Sequence, residues 1–223
     1  MKVDLPLRGR RVCIDPGHPS ENGSGARGKH LTEVGVAWHV AVRLRALLAA
    51  TGAGVVLTKH REGERVTNRR RAEIANDFRA DLMLRLHCDA APGVTGISTY
   101  YPDAEGRAPD GARGPARAVM ADSRRLGRLF HAAMMRELKG ALADRGLLTD
   151  RETGIGAKQG GALTGSIYSR VPVLLVEMCV LTSPHDEAFI ATAAGEESMA
   201  RALFEGVRAA LAADPTESSP PPS

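Results

Sequence analysis

Pro172-Val173-Leu174-Leu175-Val176-Glu177-Met178-Cys179-Val180 is the most apolar run of this 223-residue chain. A continuous apolar run of this length, rich in Val and Leu, reads as a strand buried on both faces, which places it centrally in a sheet of mostly parallel strands. Glu177 interrupts it. An unpaired carboxylate inside such a strand is costly. It therefore needs either an arginine partner or a pocket that uses its charge.

Working outward, residues 82–88, 11–15, 55–58 and 96–101 read as further strands, each apolar and bounded by turn signals. Between them lie helical patterns over 33–50, 64–78 and 120–143, and over 185–213 with a break near Gly195. Thr32 is placed to cap the first helix, whose inward stripe is Ala37, Val40, Ala41, Leu44, Leu47 and Leu48. Residues 19–30 and 103–118 read as loops, and 145–170 as irregular chain with one short strand near Ile167. Strands alternating with helices predict an α/β layered single domain over 1–213, with a mostly parallel central sheet flanked by helices. The Ser/Pro-rich residues 214–223 are expected to be a disordered tail. Sites in such sheets form at the carboxyl ends of the strands.

Four side chains with metal or acid–base chemistry fall at such ends or at a helix start. His18 follows Asp15-Pro16-Gly17 after the first strand. His87 ends Leu82-Met83-Leu84-Arg85-Leu86, and Glu177 ends the central strand. Glu33 opens a helix four residues before Ala37, on the apolar face, where a carboxylate is costly unless paired or ligating. Two imidazoles and one carboxylate are a common ligand set for a catalytic zinc that keeps one position open. A second carboxylate beside it can serve as general base. The other histidines, His30, His39, His60, His131 and His185, lie in loops, at element ends or on helix flanks, and none is assigned to a metal. Arg69-Arg70-Arg71 reads as a solvated helix face with one member free to pair with a carboxylate.

Composition narrows the partners. Net charge is +4, aromatics are 4% and charged residues 25%. The mild basic balance tolerates an anionic polymer. The scarcity of aromatics and the lack of a basic stripe argue against nucleic-acid binding. The three cysteines, Cys13, Cys88 and Cys179, are odd in number and widely spaced, which argues against a disulfide framework. Cys13 and Cys88 could pair only if their strands are neighbours. There is no apolar run of 18 residues, so no transmembrane helix is expected. The first ten residues lack the apolar core of a secretory signal.

These residues together resemble the zinc-dependent N-acetylmuramoyl-L-alanine amidases of the amidase-3 type. The resemblance runs through Asp15-Pro16-Gly17-His18, the helix-opening Glu33, Arg71 to Asn76, Ala80-Asp81 to His87, Gly96 to Tyr101, Asp144-Arg145-Gly146, Pro172 to Glu177 and Ser183 to Glu187. It implies zinc held by His18, Glu33 and His87, and Glu177 as the catalytic carboxylate. It implies peptidoglycan as the substrate, at the cell wall, in the periplasm or as a secreted enzyme, and a monomer is expected. The chain departs from the family's pattern at Arg85 (commonly Ser), Asp89 (commonly Asn), Ala37 (commonly Asn), and Cys179 and Val180 (commonly Gly and Phe). Competing readings are a zinc peptidase or amidohydrolase acting on another acyl-amide, and a non-catalytic wall-binding module of the same fold.

Overall fold

The computed structural model describes residues 6–212. The tail expected over 214–223 lies outside them.

The elements follow in the order β1 (Arg11–Pro16), α1 (Glu33–Ala50), β2 (Gly54–Leu57), α2 (Asn68–Asp77), β3 (Leu82–Asp89), β4 (Ile97–Tyr101), the two-residue strands β5 (Gly106–Arg107) and β6 (Arg113–Gly114), α3 (Arg117–Leu138), β7 (Asp144–Thr149), a 3₁₀ turn (Asp150–Glu152), α4 (Gly154–Lys158), α5 (Thr164–Ile167), β8 (Val173–Val180), α6 (Pro184–Ile190) and α7 (Ala193–Leu211). Six strands form one sheet in the order β2-β1-β3-β8-β4-β7. The pairs from β2 through β8 are parallel, as is β4 with β7, while β4 runs antiparallel to β8. The apolar run over Pro172–Val180 thus lies inside the sheet, between β3 and β4, as its composition predicts.

The two-residue period of the strands sorts side chains onto two faces. Val12 and Ile14 of β1, Leu82, Leu84 and Leu86 of β3, and Leu174 and Val176 of β8 enter the main core under α1, α3 and α7. Their neighbours go the other way. Cys13, Met83 and Val173 pack with Ala75 of α2, so the same face carries Asp15, Arg85, His87, Leu175 and Glu177 toward the strand carboxyl ends. That alternation places the site. It also separates Cys13 from Cys88. All three cysteines are free and buried, and the close pair is Cys88 with Cys179, Sγ to Sγ 3.6 Å. The register slips between His87↔Glu177 and Asp89↔Val180. The extra residue on β8 puts both Met178 and Cys179 in the main core.

Three sequence expectations are corrected. Residues 144–149 form an edge strand, not irregular chain. Ile167 ends a four-residue helix instead of lying in a strand. The final helical stretch breaks at Ala191–Thr192, where Thr192 caps α7 by accepting from the Gly195 amide, so Gly195 sits inside the helix.

Helices α3 and α7 approach closely because Gly206 lacks a side chain. A Cβ there would lie 2.7 Å from the Phe130 ring and 3.1 Å from its carbonyl oxygen. Gly206→Val is expected to destabilise the fold by about 1–3 kcal/mol through overpacking, more than the few tenths it gains from helix propensity. The check is the urea midpoint at constant slope. An unchanged midpoint would show that the helices part without cost.

Candidate metal centre

Each of the four candidate residues is fixed by a local device. Glu33 sits in the first turn of α1, where Thr32 accepts from the Gly35 amide and the helix dipole favours a negative charge. The loop before it is pinned by Glu187, which accepts from the His30 and Leu31 amides at 2.7 and 3.0 Å. His18 has φ 44°, a left-handed conformation uncommon outside glycine, at the turn leaving β1. The preceding Gly17 has a steric reason. A Cβ there would lie 2.6 Å from the His87 ring and 2.8 Å from the Leu86 carbonyl oxygen. His87 and Glu177 are direct neighbours across the β3–β8 ladder.

The structure brings His18, Glu33 and His87 together, with one donor atom from each lying within 4.8 Å of the others. Glu33 Oε1 is 2.7 Å from His87 Nδ1 and 3.7 Å from His18 Nε2, and it accepts from the Cys88 amide at 3.2 Å. Its other oxygen accepts from the Ala26 amide at 2.6 Å. The two imidazoles meet edge to face, ring centroids 5.1 Å apart. His87 Nε2 and Glu177 Oε2 are buried with no hydrogen-bond partner, which marks both as groups awaiting a ligand. Two imidazoles and a carboxylate converging beside an unpaired carboxylate are a donor set suited to zinc. Glu177 has no arginine within salt-bridge range, so the salt-bridge alternative for it is removed among the described residues.

Burial sets the electrostatics. Desolvation pushes the Glu177 carboxyl well above the usual carboxylate range, and the nearby charges of Glu33 and Asp89 push the same way. A cation at the cluster acts in the opposite sense. Desolvation also raises Glu33, but the hydrogen bond and charge of His87 outweigh it and leave that carboxyl below its ordinary value. His87 is lowered, chiefly by burial.

A polar network beneath the cluster escaped the sequence reading. Asp15 is fully buried between Arg71 (Nη1–Oδ1 2.5 Å) and Arg85 (Nε–Oδ2 2.9 Å), and it also accepts from the Thr58 hydroxyl at 2.5 Å. Arg71 further donates to the carbonyls of Pro16, Val66 and Pro19, and Arg85 to Asn68 Oδ1. Arg71 is thus the member of the basic run that pairs inward, while Arg69 and Arg70 stay at the surface. Buried Lys59 ties down the metal loop by donating to the carbonyls of His18 and Glu62, and desolvation lowers it to about 8. The signal was available. Asp15 and Arg85 interrupt apolar strands just as Glu177 does. His131, read as bland, is buried and bridges Thr99 to Asp144, away from the cluster.

Beside the cluster opens a cavity of about 410 Å³, walled on its far side by α4 and the start of α5.

The sequence model of Amidase_3, described as N-acetylmuramoyl-L-alanine amidase, matches residues 12–209. The chain belongs to that family. Among Amidase_3 relatives, LytC of Bacillus subtilis, described as an N-acetylmuramoyl-L-alanine amidase, is 29% identical over 203 residues, covering 90% of this chain and 35% of its own length. The germination-specific amidase of the same organism is 34% identical over 112 residues, covering 44% of this chain and 47% of its own. The chain thus spans less than half the length of these curated relatives. Among solved structures, the apo Ami1 amidase of Mycobacterium abscessus superposes with TM-score 0.75 at 21% identity, covering 92% of this chain and 100% of that one. AmiC2 of Nostoc punctiforme gives 0.70 at 24%, covering 90% and 96%. At these identities the structures establish a shared Amidase_3 fold. The cofactor of the family is zinc, and the donor set described above suits it.

Proposed function

We propose that this chain hydrolyses the amide joining N-acetylmuramic acid to L-alanine of the peptidoglycan stem peptide, and so acts at the cell wall, outside the cytoplasm. In this reading His18, Glu33 and His87 hold a single zinc and Glu177 moves the protons. The observation that carries it is the meeting of three donor atoms within 4.8 Å beside a carboxylate on the adjoining strand, in a chain of the Amidase_3 family. Among the described residues no helix is long and apolar enough to cross a membrane.

Zinc, when bound, supplies Lewis acidity that polarises the amide carbonyl and acidifies water. The protein's own groups do the rest. Glu177, held on a rigid central strand, takes a proton from the attacking water and returns one to the leaving amine. The Cys88 and Ala26 amides fix both oxygens of Glu33, so the ligand carboxylate cannot swing toward Glu177. Buried Asp15 and the two arginines hold the β1 turn that carries His18.

The deciding experiment treats purified peptidoglycan with zinc-loaded protein and reads the digest by mass spectrometry. New L-alanine amino termini on intact glycan strands are expected. Glycan cleavage, or new termini elsewhere in the stem with none at L-alanine, would overturn the reading. A pH titration tests the ligand set separately. Zinc affinity should fall as the pH drops through the imidazole range, ~6.5 for an unperturbed histidine, because protons compete for the ligands. His87, already lowered by burial, surrenders its metal at the acid end of that range. A flat affinity between about pH 5 and 8 contradicts ligation by two histidines.

A further inference from the structure

We propose that the cavity beside the cluster recognises a free carboxylate on the stem residue next to L-alanine, with Arg85 as the residue that selects it and Lys158 as support from the rim. The inference rests on the amidase reading above and names its substrate class.

The cavity lining is unequal in charge. Arg71, Arg85 and Lys158 are cationic, while Glu177 is the single acid that lines it. Arg71 is consumed by the fold, since its hydrogen bonds go to Asp15 and three backbone carbonyls. Arg85 is different. It is the partner of Asp15 Oδ2, while Arg71 and Thr58 share Oδ1, but that bond occupies only its Nε. Arg85 is 3% exposed, donates from Nε to Asp15 and from Nη2 to Asn68, and makes no hydrogen bond from Nη1 among the described residues. Gly165 makes the room for that end, since an added Cβ would lie 2.6 Å from Nη1. The result is a guanidinium oriented by two fixed partners, lining the cavity with one nitrogen to spare. A fixed, charged N–H donor of this kind suits a carboxylate.

The spacing fits as well. Arg85 and His87 share one face of β3, two residues apart, which is about 6.6 Å along a strand. A peptide whose scissile amide lies at the cluster reaches its second residue over a similar length, ~3.3–3.6 Å per residue. In the stem peptide that second residue is an acidic amino acid whose spare carboxyl group is either free or amidated. The glycan side of the scissile bond carries no such charge, so the carboxylate lies on the amine side. Lys158 closes the last turn of α4 and stands exposed at the rim, so it can change without touching the core.

The test uses two substrates that differ by one group, N-acetylmuramoyl-L-alanyl-D-isoglutamate and its isoglutamine counterpart, with zinc-loaded enzyme. Wild type is expected to favour the carboxylate by about tenfold or more in kcat/KM, the worth of one charge-assisted hydrogen bond. The difference should appear in KM, because the contact forms equally in ground and transition states. Arg85→Gln should bring the ratio to within about twofold, and Lys158→Gln should lower it by about threefold. An arginine that only steadied Asp15 would lower both rates together and leave the ratio standing. Equal use of the two substrates by wild type overturns the proposal, as does a ratio unchanged in a folded Arg85→Gln. Should that variant fail to fold by circular dichroism, the wild-type ratio and Lys158→Gln decide, and an unmoved ratio in the latter counts against the site. If zinc-loaded wild type cleaves neither substrate nor peptidoglycan, the amidase reading itself fails and this inference goes with it.

Discussion

Glu177→Ala is expected to lower turnover by ~10² to 10⁴-fold while the variant still binds zinc, the loss anticipated when general acid–base catalysis alone is removed. Glu33→Ala is expected to lose the metal, and activity as a consequence. Glu33 is buried and Glu177 half-buried beside the same imidazoles, yet their surroundings differ. Glu33 has both oxygens engaged, by His87, the Cys88 amide and the Ala26 amide. Its carboxyl is held ionised against the cost of burial. That is a ligand's environment. Glu177 keeps a buried oxygen without any partner, and burial pushes its carboxyl upward. That suits a group that picks up and releases a proton. Folding should survive the change at Glu177, because Ala removes a carboxyl group whose buried oxygen has no partner. Zinc stoichiometry and turnover, measured on both variants at saturating metal, decide the matter. If Glu177→Ala loses zinc while Glu33→Ala keeps it, the two roles are exchanged.

What was legible in the sequence follows from how local each signal is. A charged residue at the end of an apolar strand is readable in one dimension, because strand period and burial cost are local facts. His87 and Glu177 are legible at strand ends in that way, and Glu33 as an inward carboxylate opening a helix. Strand β7 was missed because Asp144–Thr149 lies at the sheet edge with its apolar residues only half buried, so its pattern is weak. The four-residue helix ending at Ile167 is too short to carry a period. Gly195 suggested a helix break, but the capping threonine three residues earlier was the stronger signal. The Asp15 network was hidden for another reason. The burial of Asp15 and Arg85 inside apolar strands is readable, but their pairing spans 56 and 70 residues of sequence, and nothing local turns Arg71 inward from its basic run. The same limit applied to the cysteines: Cys13 is level with Met83, on the other face of the sheet from Cys88, while the slip between β3 and β8 puts Cys179 beside Cys88.

Asp15→Ala is expected to be the most destabilising single change near the site, costing about 3–5 kcal/mol, because it leaves two buried guanidiniums without their carboxylate. Arg71 and Arg85 are 1% and 3% exposed, so water replaces the lost partner poorly. Removing only Arg85 should cost less, since Asp15 keeps Arg71 and the Thr58 hydroxyl. The same pairing sets an acid limit on stability. Desolvation alone would raise the Asp15 carboxyl, but the charges of Arg71 and Arg85 outweigh it and hold the folded value well below the usual range. A carboxyl lowered on folding contributes stability that is fully present above its unfolded value, ~3.9, and that fades as pH falls below this toward the folded value. Wild type should therefore lose stability below about pH 4 more steeply than Asp15→Ala, which no longer carries the group. Urea unfolding of both proteins between about pH 3 and 7, followed by circular dichroism, reads the difference. Parallel curves for the two proteins would mean that Asp15 does not hold its charge in the fold, and the argument for a buried ion-paired floor beneath the metal cluster would fall with it.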